Sequence, residues 1–183
     1  MTSTPPQRLD TAFAGVAIGG TLIGTAAFVA YNHSWESALR MAYDVPAALA
    51  SYSYPAMLVA EVVTGRRGPA WWVRLAALAA MTAVTVGREF AGGIASGHIT
   101  CVIAVAIILS AQARLPLGLR LAYWAAAAWT VGVRLLLING RFDASAGFGI
   151  AAGVLIGVVA GIAVRRERRK RPQAAILLPK TKP

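Results

Sequence analysis

The chain has 183 residues, a formal net charge of +11 and a mean hydropathy of +0.61. Hydrophobic residues make up 57% and charged ones only 14%, which leaves too little polar surface to keep a soluble domain of this length dispersed. The single cysteine, Cys101, rules out an internal disulfide framework, and no zinc-ligand spacing occurs. Cys101 reads as a small buried hydrophobe, and neither a metal nor a cofactor is expected.

In chain order, a polar tail at 1–11 precedes six apolar spans at 12–31, 45–64, 70–90, 98–113, 117–138 and 145–164. Each is about 20 residues, the length a helix needs to cross about 30 Å of hydrocarbon. The expected fold is all-α, an integral membrane bundle of six transmembrane helices over 12–164 with both termini cytoplasmic, followed by a basic cytoplasmic tail at 165–183. The first span is longer than a signal-peptide core and no small-x-small cleavage site follows it, so it reads as a retained helix. Pro55 is expected to kink the second span.

Orientation follows from the basic residues. With the N-terminus inside, the cytoplasmic side holds Arg8, Arg66, Arg67, Arg74, Arg114, Arg120 and the eight basic residues of 165–183, that is 14 of the 18. The outer side keeps Arg40, Arg88, Arg134 and Arg141, offset by Glu36, Asp44, Glu89 and Asp143. This asymmetry is that of a multi-pass inner-membrane protein, and it explains the net charge without nucleic acid. The run from Arg165 to Arg171 suits anionic headgroups. Trp71 and Trp72, beside Arg67 and Arg74, read as an interfacial anchor, and Glu61 is expected to pair with Arg66 or Arg67.

Packing is written in glycine. Gly149, Gly153, Gly157 and Gly161 recur every fourth residue on the last span, as do Gly15, Gly19 and Gly20, Gly24 on the first. Such faces let helices approach closely, within one chain or across a homodimer.

Charged groups near membrane depth are functional candidates, and they gather on the outer side. Ser96, Gly97 and His98 open the fourth span, where unbonded N–H groups and the positive dipole end favour an anion. Gly92, Gly93 and Gly97 would admit close backbone approach. Arg88 closes the third span and Arg134 the fifth, offering guanidinium forks that suit phosphate oxygens. Asn139, Arg141 and Asp143 lie between the last two spans. His98 is the residue there that could move a proton near neutral pH, and Asp143 could orient a histidine or pair with an arginine. His33, beside Trp35, reads as interfacial.

These residues resemble the type 2 phosphatidic acid phosphatase superfamily, which includes lipid phosphatases and undecaprenyl diphosphate phosphatases. Ala95-Ser96-Gly97-His98 resembles its Pro-Ser-Gly-His motif without the proline. Gly87-Arg88-Glu89 resembles its Arg-Pro, with Glu89 for the proline and Met81 where a lysine is expected. Val133-Arg134 and Asp143 to Gly147 resemble the two ends of its third motif. The resemblance implies a six-helix core with His98 as the acid that protonates the leaving group, Asp143 as an orienting residue, and phosphate held by Arg88, Ser96, Gly97, Arg134 and Arg141. The family's nucleophilic histidine would fall on Asn139 counted back from Asp143, or on Gly140 counted forward from Arg134, and asparagine cannot replace that nucleophile.

The expected function is therefore a membrane hydrolase with an atypical nucleophile, a phosphatase-like protein acting on a lipid phosphate or isoprenoid (di)phosphate at the extracytoplasmic face, with membrane lipids around it. Alternatives are a non-catalytic relative that binds such lipids, an isoprenoid diphosphate lyase or cyclase, and a small transporter.

Overall fold

A computed structural model of the chain describes residues 15, 19–26, 38–112, 117–138 and 143–177. The described residues are all-helical, without a strand. A helical stretch at 19–26 (α1) is followed by α2 (Ala38–Val63), α3 (Trp71–Ala91), α4 (Gly97–Ser110), α5 (Leu117–Gly132) and α6 (Ala144–Leu177). α5 passes without a break into a π-helical segment, Val133–Ile138.

The predicted spans find their helices, with informative differences at the ends. α2 takes in 38–44, ahead of the predicted start at 45, and α6 continues past 164 to Leu177. Apolar runs mark where a helix could meet lipid, whereas arginine, lysine and glutamate extend the same helix into water at little cost. Among the described helices, α6 over Ala144–Lys170 is the one long and apolar enough to cross a membrane by itself. α3 carries Arg74 and Arg88 near its two ends, and α4 has only 14 residues.

α4 is the axis of the fold. It packs against α6, α5, α2 and α3, and its residues are apolar on every side rather than on one stripe. That pattern belongs to a helix enclosed all round. Ile99, Val102, Val105 and Ile108 of α4 are fully buried. One core cluster joins α4 to Tyr54 and Met57 of α2 and Met81 of α3. A second joins it to Ala47 and Ala50 of α2, Ala127 of α5 and Ala146 of α6.

The α6 glycines are used within the chain. A Cβ on Gly149 would come within 2.9 Å of the Ser96 carbonyl oxygen, on Gly153 within 2.8 Å of the Thr100 carbonyl oxygen, and on Gly157 within 2.9 Å of Ile107 Cβ. Gly161 has more room, with its nearest neighbours at 3.7 Å. Backbone contact at this range also lets Thr100 Oγ1 donate across to the Gly149 carbonyl at 3.2 Å, as well as to Ser96 O at 2.8 Å. On α1, Gly20 faces Ala56 and Gly24 faces Tyr52, while Gly15 and Gly19 meet nothing within 4 Å.

At one end of the bundle lies a buried ion pair. Arg74 Nη1 donates to both carboxylate oxygens of Glu61, at 2.8 and 2.9 Å, with the side chains 0% and 4% exposed. The expected partners of Glu61, Arg66 and Arg67, are thus replaced by Arg74. The physical reason is that Arg74 sits one turn inside α3 facing the core, whereas Arg67 lies over the faces of Trp71 and Trp72, at 4.8 and 5.7 Å from the ring centroids. The Gln112 amide oxygen accepts from Arg74 Nη2 and Nε at 3.1 Å each. Gly68 N–H donates to Glu61 Oε2 at 2.8 Å, and Tyr54 OH donates to the Arg74 carbonyl at 3.0 Å. A Cβ at Gly68 would lie 2.6 Å from Arg74 Nη1 and 2.8 Å from Glu61 Oε1, so a side chain there would displace the pair.

The loop between α2 and α3 is fixed by this network and by α6. Ala70 adopts a left-handed conformation (φ 51°, ψ 41°), strain of order 1–3 kcal/mol for a residue with a Cβ. It is held there because its N–H donates to the Glu167 carboxylate of α6 and its carbonyl accepts from Arg74 N at 3.0 Å. Arg168 Nη1 donates to the Ala111 carbonyl at 3.1 Å. The α2–α3 loop, the end of α4 and the basic part of α6 therefore share one end of the molecule.

Removing one member of a buried pair strands the other charge, which costs about 3–5 kcal/mol. Glu61→Ala is expected to lose that much stability in denaturant unfolding followed by tryptophan fluorescence. Glu61→Leu with Arg74→Met should recover most of it. A double variant as unstable as the single one would rule out a stranded charge as the cause.

Candidate functional site

At the other end, three helix ends meet the first turn of α6. Asp143 caps α6, with Oδ1 accepting from Ala146 N at 2.6 Å and its carbonyl accepting from Gly147 N at 3.1 Å. This is the N-cap geometry that satisfies otherwise unbonded amides. Oδ2 of the same carboxylate faces Arg134 Nη2 at 3.5 Å, a long contact between side chains 19% and 28% exposed. One aspartate thus caps a helix and gives Arg134 a counter-charge.

Arg88, in the last turn of α3, donates from Nη1 to the Ser145 hydroxyl. The Ser145 carbonyl in turn accepts from Ser96 N at 3.0 Å, tying the start of α4 to the start of α6. Ser96 is the N-cap residue of α4, buried and extended (φ −71°, ψ 114°), and its side chain makes no capping bond. Its carbonyl begins the helix by accepting from Thr100 N at 3.0 Å.

The sequence supplies these ends locally. Gly92 stops α3 in a left-handed conformation (φ 67°), and its N–H and that of Gly93 both reach the Gly87 carbonyl. Gly97 allows close packing, since a Cβ there would lie 2.6 Å from Thr85 Oγ1. The three glycines that were expected to admit an anion, Gly92, Gly93 and Gly97, therefore have structural uses in shaping the turn and seating α4 on α3. Arg134 lies in the π-helical segment that continues α5.

His98 is in the first turn of α4 and half-buried. Arg88, Arg134, Glu89 and Asp44 all lie within electrostatic range of its imidazole. The structure thus brings Arg88, Ser96, Gly97, His98, Arg134 and Asp143 to one end of the bundle. Asn139 and Arg141 lie outside the described residues, as does His33. Two participants are present in the sequence reading without a site role. Ser145 had no signal beyond its place beside Asp143. Asp44 directly precedes the second span and counts in the sequence only as an outer-side charge that offsets the arginines. Among the described residues no three His, Cys, Asp or Glu side chains gather to hold a metal ion.

Chemically, two guanidinium groups, one imidazole and a helix start meet three carboxylates, Asp44, Glu89 and Asp143, which offset the guanidinium charge. The guanidinium forks and the helix start offer donors to an anion with several oxygens, and the imidazole is a group able to move a proton.

The cap should outweigh the long, partly buried ion pair. Asp143→Ala is expected to cost about 1 kcal/mol, read as a lower thermal midpoint, while Asp143→Asn, which keeps an accepting oxygen, should lose much less. Equal losses would mean that the charge, not the cap, is what counts.

No family model matches the chain, nor does any curated protein or solved structure, so the role of this cluster has to be argued from its residues.

Proposed function

We propose that the chain is a multi-pass membrane protein that takes the phosphate or diphosphate of a lipid, such as a polyprenyl (di)phosphate or phosphatidic acid, into this cluster at its extracytoplasmic end and hydrolyses it in the manner of a lipid phosphatase. The observation that carries the reading is the gathering of Arg88, His98 and Arg134, from three separate helices, around the first turn of α6. In this scheme the arginines hold phosphate oxygens and stabilise charge in the transition state. His98 delivers a proton to the leaving oxygen, and Asp143 positions Arg134. With Asn139 and Gly140 where the resembled family has its nucleophilic histidine, attack on phosphorus falls to water.

The bilayer part of the proposal rests on an inverted surface. Large apolar side chains face outward on every long helix, among them Val62, Phe90, Leu121, Trp129, Leu155 and Val159, while Arg74, Glu61, Thr100 and Thr130 are buried. An exposed apolar belt of this extent belongs in lipid. The basic residues gathered at the Glu167 end support a cytoplasmic orientation for that end.

A second reading, binding of the lipid phosphate without turnover, is favoured by the missing histidine and by the engagement of Arg88 with Ser145 and of Arg134 with Asp143. One assay separates the two. Purified protein in lipid vesicles should release phosphate from polyprenyl diphosphate or phosphatidic acid. His98→Ala should lower the rate at least about 100-fold, and Arg134→Ala should weaken lipid binding. Release no greater than from empty vesicles, with binding still sensitive to Arg134→Ala, would replace hydrolysis by the binding reading; loss of both would end the phosphate proposal.

Topology has its own test. In a Cys101→Ala background, cysteines at Ile94 and Arg169 should react with an impermeant thiol reagent from opposite sides of sealed vesicles. Labelling of both from one side would overturn the arrangement.

A further inference from the structure

The basic end carries a groove of about 490 Å³ between the start of α3 and the late turns of α6. One wall is Arg67, Trp71, Trp72 and Val73, and the other is Ala163, Arg166, Glu167 and Lys170. The α6 positions fall at intervals of three, four and seven, so a single helix face lines it. Its lining is graded: Val73 and Ala163 are apolar, and Arg67, Arg166 and Lys170 are cationic.

The groove is built rather than incidental. Arg67 is held over two indole rings that meet edge to face, with centroids 4.7 Å apart. Its loop is fixed from below by the Glu61 contact to Gly68 N and from the side by the Glu167 contact to Ala70 N. That second contact occupies the one acidic group in the lining with a backbone amide and closes the two walls on each other. Trp72, largely exposed, stands at the rim, as tryptophans do at the boundary between headgroups and acyl chains.

We propose that this groove binds the phosphate headgroup of an anionic phospholipid from the leaflet at the basic end. The phosphate lies among Arg67, Arg166 and Lys170, where guanidinium forks meet its oxygens. The first carbons of the acyl chains run along Val73 and Ala163 toward the hydrocarbon. The inference rests on the membrane-spanning part of the proposed function and is independent of phosphate chemistry at the opposite end.

The test is retention of lipid by the full chain released from nanodiscs of equal phosphatidylglycerol and phosphatidylcholine, read by native mass spectrometry. Wild type should keep phosphatidylglycerol at least about tenfold over phosphatidylcholine, given the strength of several basic side chains against an anionic surface. Arg166→Gln with Lys170→Gln should bring the ratio near unity. Arg165→Gln with Arg169→Gln, which removes the same charge from the same helix outside the groove, should leave it unchanged. Arg67→Gln reads the opposite wall and serves if the double variant does not fold. No preference in wild type, or equal loss in both double variants, overturns the site in favour of diffuse attraction. Displacement of the lipid by millimolar inorganic phosphate overturns the lipid assignment in favour of a free-anion site. A chain that fails to enter nanodiscs overturns the membrane reading and this one together. Phosphate release measured on the same samples shows separately whether the opposite end works.

Discussion

The buried pair between Glu61 and Arg74 is the constraint on which the basic end depends. Two opposite charges removed from water are tolerable only when their remaining donors and acceptors are also met. Gln112 and Gly68 N meet them here. Each of these comes from a different stretch of chain, so the pair fixes the end of α2, the loop after it, the start of α3 and the end of α4 at once. The left-handed Ala70 and the stacked Arg67 are consequences of that fixation. Such a pair adds little net stability compared with apolar residues of the same size; its contribution is to specify one arrangement of these four segments.

At the opposite end the organiser is the first turn of α6. Asp143 caps it, Ser145 accepts from Arg88 and from Ser96 N, and Arg134 approaches the capping carboxylate. The glycine ladder at 149, 153 and 157 seats α6 against α4, which places that turn beside His98. Packing and site are thus one problem: the spacing of small residues along α6 sets where its charged beginning lies.

Much of this was legible in the sequence. Apolar run length located α3 and α5 with its π-helical extension to within a residue and overran the end of α4 by three, and four-residue glycine spacing identified the close face of α6. The gathering of Arg88, His98, Arg134 and Asp143 followed from counting which span ends share a side. What was hidden depends on choices that no local pattern encodes. Glu61 could have paired with any of three nearby arginines, and burial, visible only after folding, selected Arg74. The π-helical turn under Arg134 has no sequence signature. α2 takes in Asp44 because hydropathy reports solvent rather than helicity. α4, all apolar and 14 residues long, reads as one more span although it is the enclosed centre of the bundle.

The shortness of α4 has a geometric result. A rod of 14 residues is about 21 Å long, against a hydrocarbon layer of about 30 Å. Set in a bilayer with longer helices around it, its two tips would stop roughly 4–5 Å beneath each surface. The imidazole at one tip would then lie at the floor of a dimple walled by neighbouring helices, while at the other tip the Gln112 carboxamide is enclosed with Arg74. In such a setting the polar groups at the imidazole end would sit slightly inside the membrane plane.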